Sequence, residues 1–147
     1  MRIKGTIHCY YTDENGERLF EQTKHNAITL AGFDFVRKAI SDSSEERPVA
    51  MKYIAVGSGS TATSTAMTAL ENEHGRQSGT WAYDDDKKSF TITATFPVGS
   101  INGSAIQEVG VLNSESDGVL LDRGVFESAI PVLANLEFTS EVTFELA

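Results

Sequence analysis

The residues of this chain whose types could do chemistry are three histidines, one cysteine, a triple-aspartate run and a Gly/Ser segment. A zinc site needs His or Cys ligands at short, defined spacings. His8, His25 and His74 are far apart, and no pair has such a spacing. Asp84-Asp85-Asp86 offers carboxylates to a cation, but a calcium loop needs spaced acidic positions and a closing bidentate Glu. Followed by Lys87-Lys88 and flanked by strand-like segments, the run reads as a solvated turn. Gly57-Ser58-Gly59-Ser60 follows a buried-strand pattern, as a phosphate loop would. No Lys-Ser or Lys-Thr comes after it, and the glycine spacing of a dinucleotide site is missing. There is no Gly-x-Ser-x-Gly elbow for a serine nucleophile. Cys9 lies in an alternating segment and reads as a small buried hydrophobe. The 21 acidic residues offer so many pairs that none stands out for acid–base work. The expectation is a non-enzymatic protein with no metal ligands and no cofactor.

Two charges interrupt apolar runs. Glu108 lies in Ala105-Ile106-Gln107-Glu108-Val109-Gly110-Val111-Leu112, and Arg123 in Val119-Leu120-Leu121-Asp122-Arg123-Gly124-Val125-Phe126. These segments are expected to pair as strands. A ligand-gripping pair is one reading; a partly buried Glu108–Arg123 bridge that fixes strand register is the favoured one. From Gly57 to Thr68 the chain is nearly all Gly, Ser, Thr and Ala. Connections of that length are uncommon unless functional or ordered by a partner, so Gly57, Ser58, Gly59 and Ser60 begin a candidate contact loop.

These residues must be carried by strands. Leu136, Phe138, Val142, Phe144 and Leu146 alternate with Glu137, Thr139, Glu141, Thr143 and Glu145. A period of two predicts a half-buried antiparallel strand whose acidic face is solvated or meets another subunit. The pattern recurs at Phe90, Ile92, Ala94, Phe96 and Val98, and at Ile3, Gly5, Ile7, Cys9 and Tyr11. Asn15-Gly16 is a strong hairpin signal, with a return strand over about residues 17–25. Two more hairpins are expected, one turning at Asp84–Lys88 and one at Asn113–Gly118. Tyr53-Ile54-Ala55-Val56 reads as a buried strand. One helix is expected at about residues 30–41: Thr29 caps it, Leu30, Phe33, Val36, Ala39 and Ile40 form a stripe that packs on a sheet, and Ser41-Asp42-Ser43-Ser44 ends it. The fold class is therefore mainly β, an antiparallel β-sandwich of jelly-roll type with one helix, in a single domain over residues 1–147.

The net charge is −9, and the 12 Lys and Arg residues are scattered, which argues against nucleic-acid binding. No stretch approaches the roughly 20 apolar residues of a membrane helix. The opening Met1-Arg2-Ile3-Lys4-Gly5 lacks the apolar run of a secretory signal, which predicts synthesis and folding in a cytoplasm. Tyr10, Tyr11, Trp81 and Tyr83 could supply stacking faces for a host surface glycan, but aromatics on alternating strands more often serve a core or an interface.

Five segments carry a resemblance by their order. They are His25-Asn26-Ala27-Ile28-Thr29-Leu30-Ala31-Gly32, then Tyr53–Gly59 with its loop to Thr68-Ala69-Leu70-Glu71-Asn72-Glu73, then Phe90–Phe96, Ile106–Leu112 and Leu121–Phe126. The chain resembles structural proteins of tailed-bacteriophage virions, the tail-fibre, minor tail and baseplate group. That resemblance implies a virion protein made in the host cytoplasm, other virion proteins as partners, and a homo-oligomer, a trimer or higher ring. It brings no catalytic residue, and it implies a fold-keeping role for Glu108 and Arg123. The chain is short for a tail fibre and has no repetitive shaft, so a tail, baseplate or fibre-attachment subunit is expected. The alternatives are a capsid decoration or head-fibre protein, and a carbohydrate-binding host-recognition module.

Overall fold

A computed structural model describes residues 2–41 and 47–147. Nine strands and one helix follow one another as β1 (Ile3–Thr12), β2 (Arg18–Ile28), α1 (Leu30–Ser41), β3 (Tyr53–Gly57), β4 (Glu73–Ser78), β5 (Thr80–Asp84), β6 (Ser89–Phe96), β7 (Ala105–Leu112), β8 (Leu120–Pro131) and β9 (Glu137–Leu146). The strands form one antiparallel sheet in the order β4-β3-β7-β8-β2-β1-β9-β6-β5. Its outermost strands, β4 and β5, are consecutive in the chain and joined by Gly79, so the sheet is nearly closed into a barrel. The mainly-β, antiparallel, one-helix architecture is as the alternation implies. The Asp42–Ser44 helix stop lies outside the described residues.

Alternation places Ile7, Cys9 and Tyr11 of β1, Ile92, Ala94 and Phe96 of β6, and Phe138, Val142 and Phe144 of β9 in the interior. Ring pairs there, Tyr11–Phe138 at 5.1 Å and Phe90–Phe144 at 5.2 Å, join neighbouring strands. The Tyr11 hydroxyl donates to the carbonyl of Pro131 at 2.6 Å. Burial pushes the Cys9 thiol up to about 12, so it serves as packing. On the outer face, threonines pair across β6 and β9, Thr91 with Thr143 at 2.7 Å and Thr95 with Thr139 at 3.2 Å.

The three expected hairpins are present. At the first, the N–H of Gly16 donates to the carbonyl of Asp13, and only Gly16 of the Asn15-Gly16 pair has a positive φ, +80°. The turn is thus carried by the Asp13 carboxylate, which accepts from Asn15 and Glu17 N–H, with one left-handed glycine after it. The return strand runs on to Ile28, beyond the expected end near residue 25. β4 was not expected at all, because Glu73-His74-Gly75-Arg76-Gln77-Ser78 has no apolar alternation. It is fixed instead by Arg76, which pairs with Glu73 and donates to the carbonyls of Ser114 and Asp117.

The helix begins where expected: Thr29 Oγ1 accepts from the N–H of Gly32 at 2.9 Å. Its contact face differs. Phe35 and Val36 pack on the core and Gly32 is buried, whereas Leu30, Phe33 and Ile40 are exposed, Ile40 at 73 %. The cause is Gly32. With no side chain it brings the helix backbone against Leu121, and a Cβ there would overlap the Leu121 carbonyl oxygen. That close approach rotates Leu30 and Phe33 away from the sheet. Gly32→Ala is accordingly expected to cost about 1–3 kcal/mol by forcing the helix outward. Urea unfolding checks this; an unchanged or raised midpoint would show that the contact has slack.

Candidate functional site

The outer face of β3, β7 and β8 carries a second, smaller apolar cluster of Ala55, Leu112 and Leu120. It is covered by the connection from β3 to β4, through Leu70 and the partly buried Met67. Glu108 and Arg123 lie under the same connection, both 0 % exposed, with Arg123 Nε 2.7 Å from Glu108 Oε2. A bulge between Ile106 and Glu108 sets the register in which β7 meets β8.

Glu108 does more than neutralise Arg123. Its Oε1 accepts the N–H groups of Gly59 at 3.1 Å and Asn72 at 2.7 Å, and its Oε2 accepts that of Glu71 at 2.9 Å. Arg123 Nη1 donates to the carbonyl of Thr61 at 2.9 Å and to Thr63 Oγ1 at 3.1 Å. The pair therefore gathers both ends of the connection onto the sheet. Glycine is required at residues 57 and 59, where a Cβ would collide with the Asn72 carbonyl and the Glu108 carboxylate respectively. Of the four residues proposed as a contact loop, Gly57 and Gly59 are buried, Ser58 is half-buried, and Ser60 alone is exposed. A low-complexity stretch that reads as flexible is thus tied down by side chains distant in sequence.

The histidines are dispersed. His8 bonds Glu21 at 2.9 Å on the outer face, beside Glu141 at 3.5 Å, and His25 meets Thr6 Oγ1 at 3.3 Å. His74 Nε2 lies 2.8 Å from Ser58 Oγ, which also accepts from Asn72 Nδ2 at 2.7 Å. This serine–histidine contact was not foreseen; the residues lie on either side of the long connection. With the amide of Asn72 on the hydroxyl, it works as a polar clasp between β3 and β4. Among the described residues no three His, Cys, Asp or Glu side chains gather as a metal site, and no helix is long and apolar enough to cross a membrane. At the Asp84–Lys88 turn, Asp84 Oδ1 accepts from the N–H of Lys87 at 3.1 Å.

The aromatic residues do not share one face. Tyr11 is in the interior, and Tyr10 donates to Glu141 at 3.0 Å beneath the Arg18 guanidinium. Trp81 and Tyr83 line an apolar groove of about 530 Å³ between β5 and α1, whose other wall includes Phe35, Val36 and Ile40. Of its lining residues Ile40, Tyr83 and Leu146 are exposed, Tyr83 at 78 %; Leu30 and Phe33 are exposed elsewhere on α1. No family model matches the chain, and neither a curated protein nor a solved structure matches it.

Proposed function

We propose that this chain is a non-enzymatic structural protein of a tailed-phage virion, a self-associating subunit of the tail, baseplate or fibre-attachment apparatus. The observation that carries the assembly reading is the exposed apolar face of α1 and the groove beside it. Leu30, Phe33 and Ile40 share one side of the helix, at spacings of three and seven residues, and each is at least half exposed. Contiguous apolar surface of this kind marks an interaction site. Charge supports a second copy as the occupant. Arg37 and Lys38, which share Asp34 as an ion-pair partner, and Arg47 stand on or beside the face and leave it a net positive rim among the described residues, whereas the chain as a whole carries −9 and shows exposed Glu137 and Glu145 on β9. A basic-rimmed apolar face meeting an acidic face of the next copy is a head-to-tail contact, which forms a ring where the rotation between copies closes and an open filament where it does not.

The phage assignment rests on the ordered resemblance. Four of its five segments are tied together near the Glu108–Arg123 anchor: the Thr29 N–H donates to the Leu121 carbonyl, the Leu30 N–H donates to the Thr65 carbonyl, and the Gly59 and Asn72 N–H groups reach Glu108. In this reading β4-β3-β7-β8 and β2-β1-β9-β6-β5 are the two leaves of a jelly-roll-like sandwich, joined through only two residue pairs, Ala27–Arg123 and Ile28–Asp122. Mass spectrometry and immunogold microscopy of particles from the phage that encodes the chain test the assignment. Multiple copies per particle with label on the tail are expected. Label on the head would make it a decoration protein, and absence from particles would end the virion reading.

A further inference from the structure

Strands β1 and β9 run side by side, in register from Ile3–Leu146 to Thr12–Glu137. Their length is about 30 Å at the rise of an extended strand. The two ends of this pair are unlike. At one end Ile3 and Leu146 line the groove under α1, with Val36 and Ile40 of the helix as its other wall. On the outward side of α1, Leu30, Phe33, Arg37 and Ile40 follow one another at helical spacing, all exposed. The helix has one carboxylate, Asp34, shared by Arg37 and Lys38, so it carries a surplus cation. At the opposite end lies a cleft of about 480 Å³, formed by the β1–β2 turn, Val98 after β6, and Leu136 and Glu137 at the start of β9. Val98 is 54 % exposed, and Leu136 beside it packs on the core. No Lys or Arg lines this cleft. Asp13 is engaged by the N–H groups of Asn15 and Glu17, whereas Glu14 and Glu137 are exposed and enter no ion pair among the described residues. Glu145, at the helix end of β9, already stands opposite Lys4.

We propose that this cleft is the surface on a second copy that receives the α1 face. Phe33 seats on Val98 and Leu136, and Arg37 and Lys38 meet Glu14 and Glu137 around them. The inference rests on the reading of α1 as the assembly face and names the other half of the contact. Opposite charge on the two halves sets the orientation. Two α1 faces repel each other through their surplus cations, as two clefts do through their carboxylates. Because the halves lie at opposite ends of β1 and β9, a copy engaged through one still offers the other to a further copy.

Light scattering on two variants and on their mixture tests the proposal. Phe33→Glu disables the face and Val98→Glu the cleft. Both positions are exposed, so each variant should keep its fold, which circular dichroism checks. Each alone is expected at 16.0 kDa. Mixed in equal amounts, they are expected to form a one-to-one pair of twice 16.0 kDa, since each supplies the half that the other lacks. Glu137→Lys is expected to weaken association of the otherwise unchanged chain about tenfold. If Val98→Glu assembles like the parent while Phe33→Glu does not, the cleft is overturned and the α1 face stands. A mixture that stays at 16.0 kDa, or a Glu137→Lys chain that associates as tightly as the parent, also overturns the proposal. A parent that never exceeds 16.0 kDa, or a Phe33→Glu variant that still assembles, ends the reading of α1 and this inference with it.

Discussion

Arg123→Ala is expected to destabilise the protein by about 3–5 kcal/mol, the loss typical of breaking one partner of a buried ion pair. A domain of this kind has only about 5–15 kcal/mol in total, so the variant should unfold at much lower urea. The mechanism is specific. Without the guanidinium, the buried Glu108 carboxylate loses its ion-pair partner, and Thr61 and Thr63 lose the donor that holds them down. The β3–β4 connection should then become open to proteases before global unfolding. Replacing both members with apolar side chains often restores stability elsewhere. Here it should not, because the buried N–H of Gly59 and the partly buried N–H groups of Glu71 and Asn72 would lose their acceptor. A urea midpoint near that of the parent in Arg123→Ala would show that the pair carries little of the fold.

Asp122→Asn should reverse part of the protein's pH dependence. Asp122 is fully buried; its Oδ1 accepts from the N–H of Val111 at 3.1 Å, and its Oδ2 has no partner among the described residues. Burial holds its carboxyl well above the usual carboxylate range, with the Val111 N–H opposing weakly. In the unfolded chain the same group loses its proton near pH ~4. The folded state therefore binds more protons once pH exceeds that value, and stability falls as pH rises until the folded group ionises. The slope reaches about 1.4 kcal/mol per pH unit. Asparagine keeps the shape and the acceptor without the titration. The variant should match the parent near pH ~4 and grow progressively more stable than it toward neutrality. Parallel stability profiles for the two proteins would refute this account of Asp122.

Much of the scaffold is legible in the sequence because period-two burial leaves a direct trace. β1, β6 and β9 follow from their alternating side chains, and Thr29 announces the helix through its hydroxyl. Glu108 and Arg123 could be paired because each interrupts an apolar run on strands that a short turn must bring together. Other features depend on contacts that local pattern does not encode. β4 is held at the margin of the sheet by the polar bonds of Arg76, so it needs no apolar face. The inward face of α1 is decided by Gly32 against the Leu121 backbone, which outweighs the more apolar stripe of Leu30 and Phe33. The Gly57–Thr68 stretch reads as a loose loop, since its order comes from a carboxylate and a guanidinium far away in sequence. The Asn26 amide, unpartnered among the described residues and lying over Gly5 on β1, likewise depends on strand pairing that no local pattern announces.

The proposed self-association runs through the apolar face of α1. Light scattering on the purified chain, at concentrations up to about 100 µM, measures this directly. A mass that is a multiple of 16.0 kDa, three or more copies, is expected, with a return to 16.0 kDa in Phe33→Glu and Ile40→Glu while the fold stays intact. A parent chain that remains at 16.0 kDa throughout, or an oligomer indifferent to both substitutions, would contradict it.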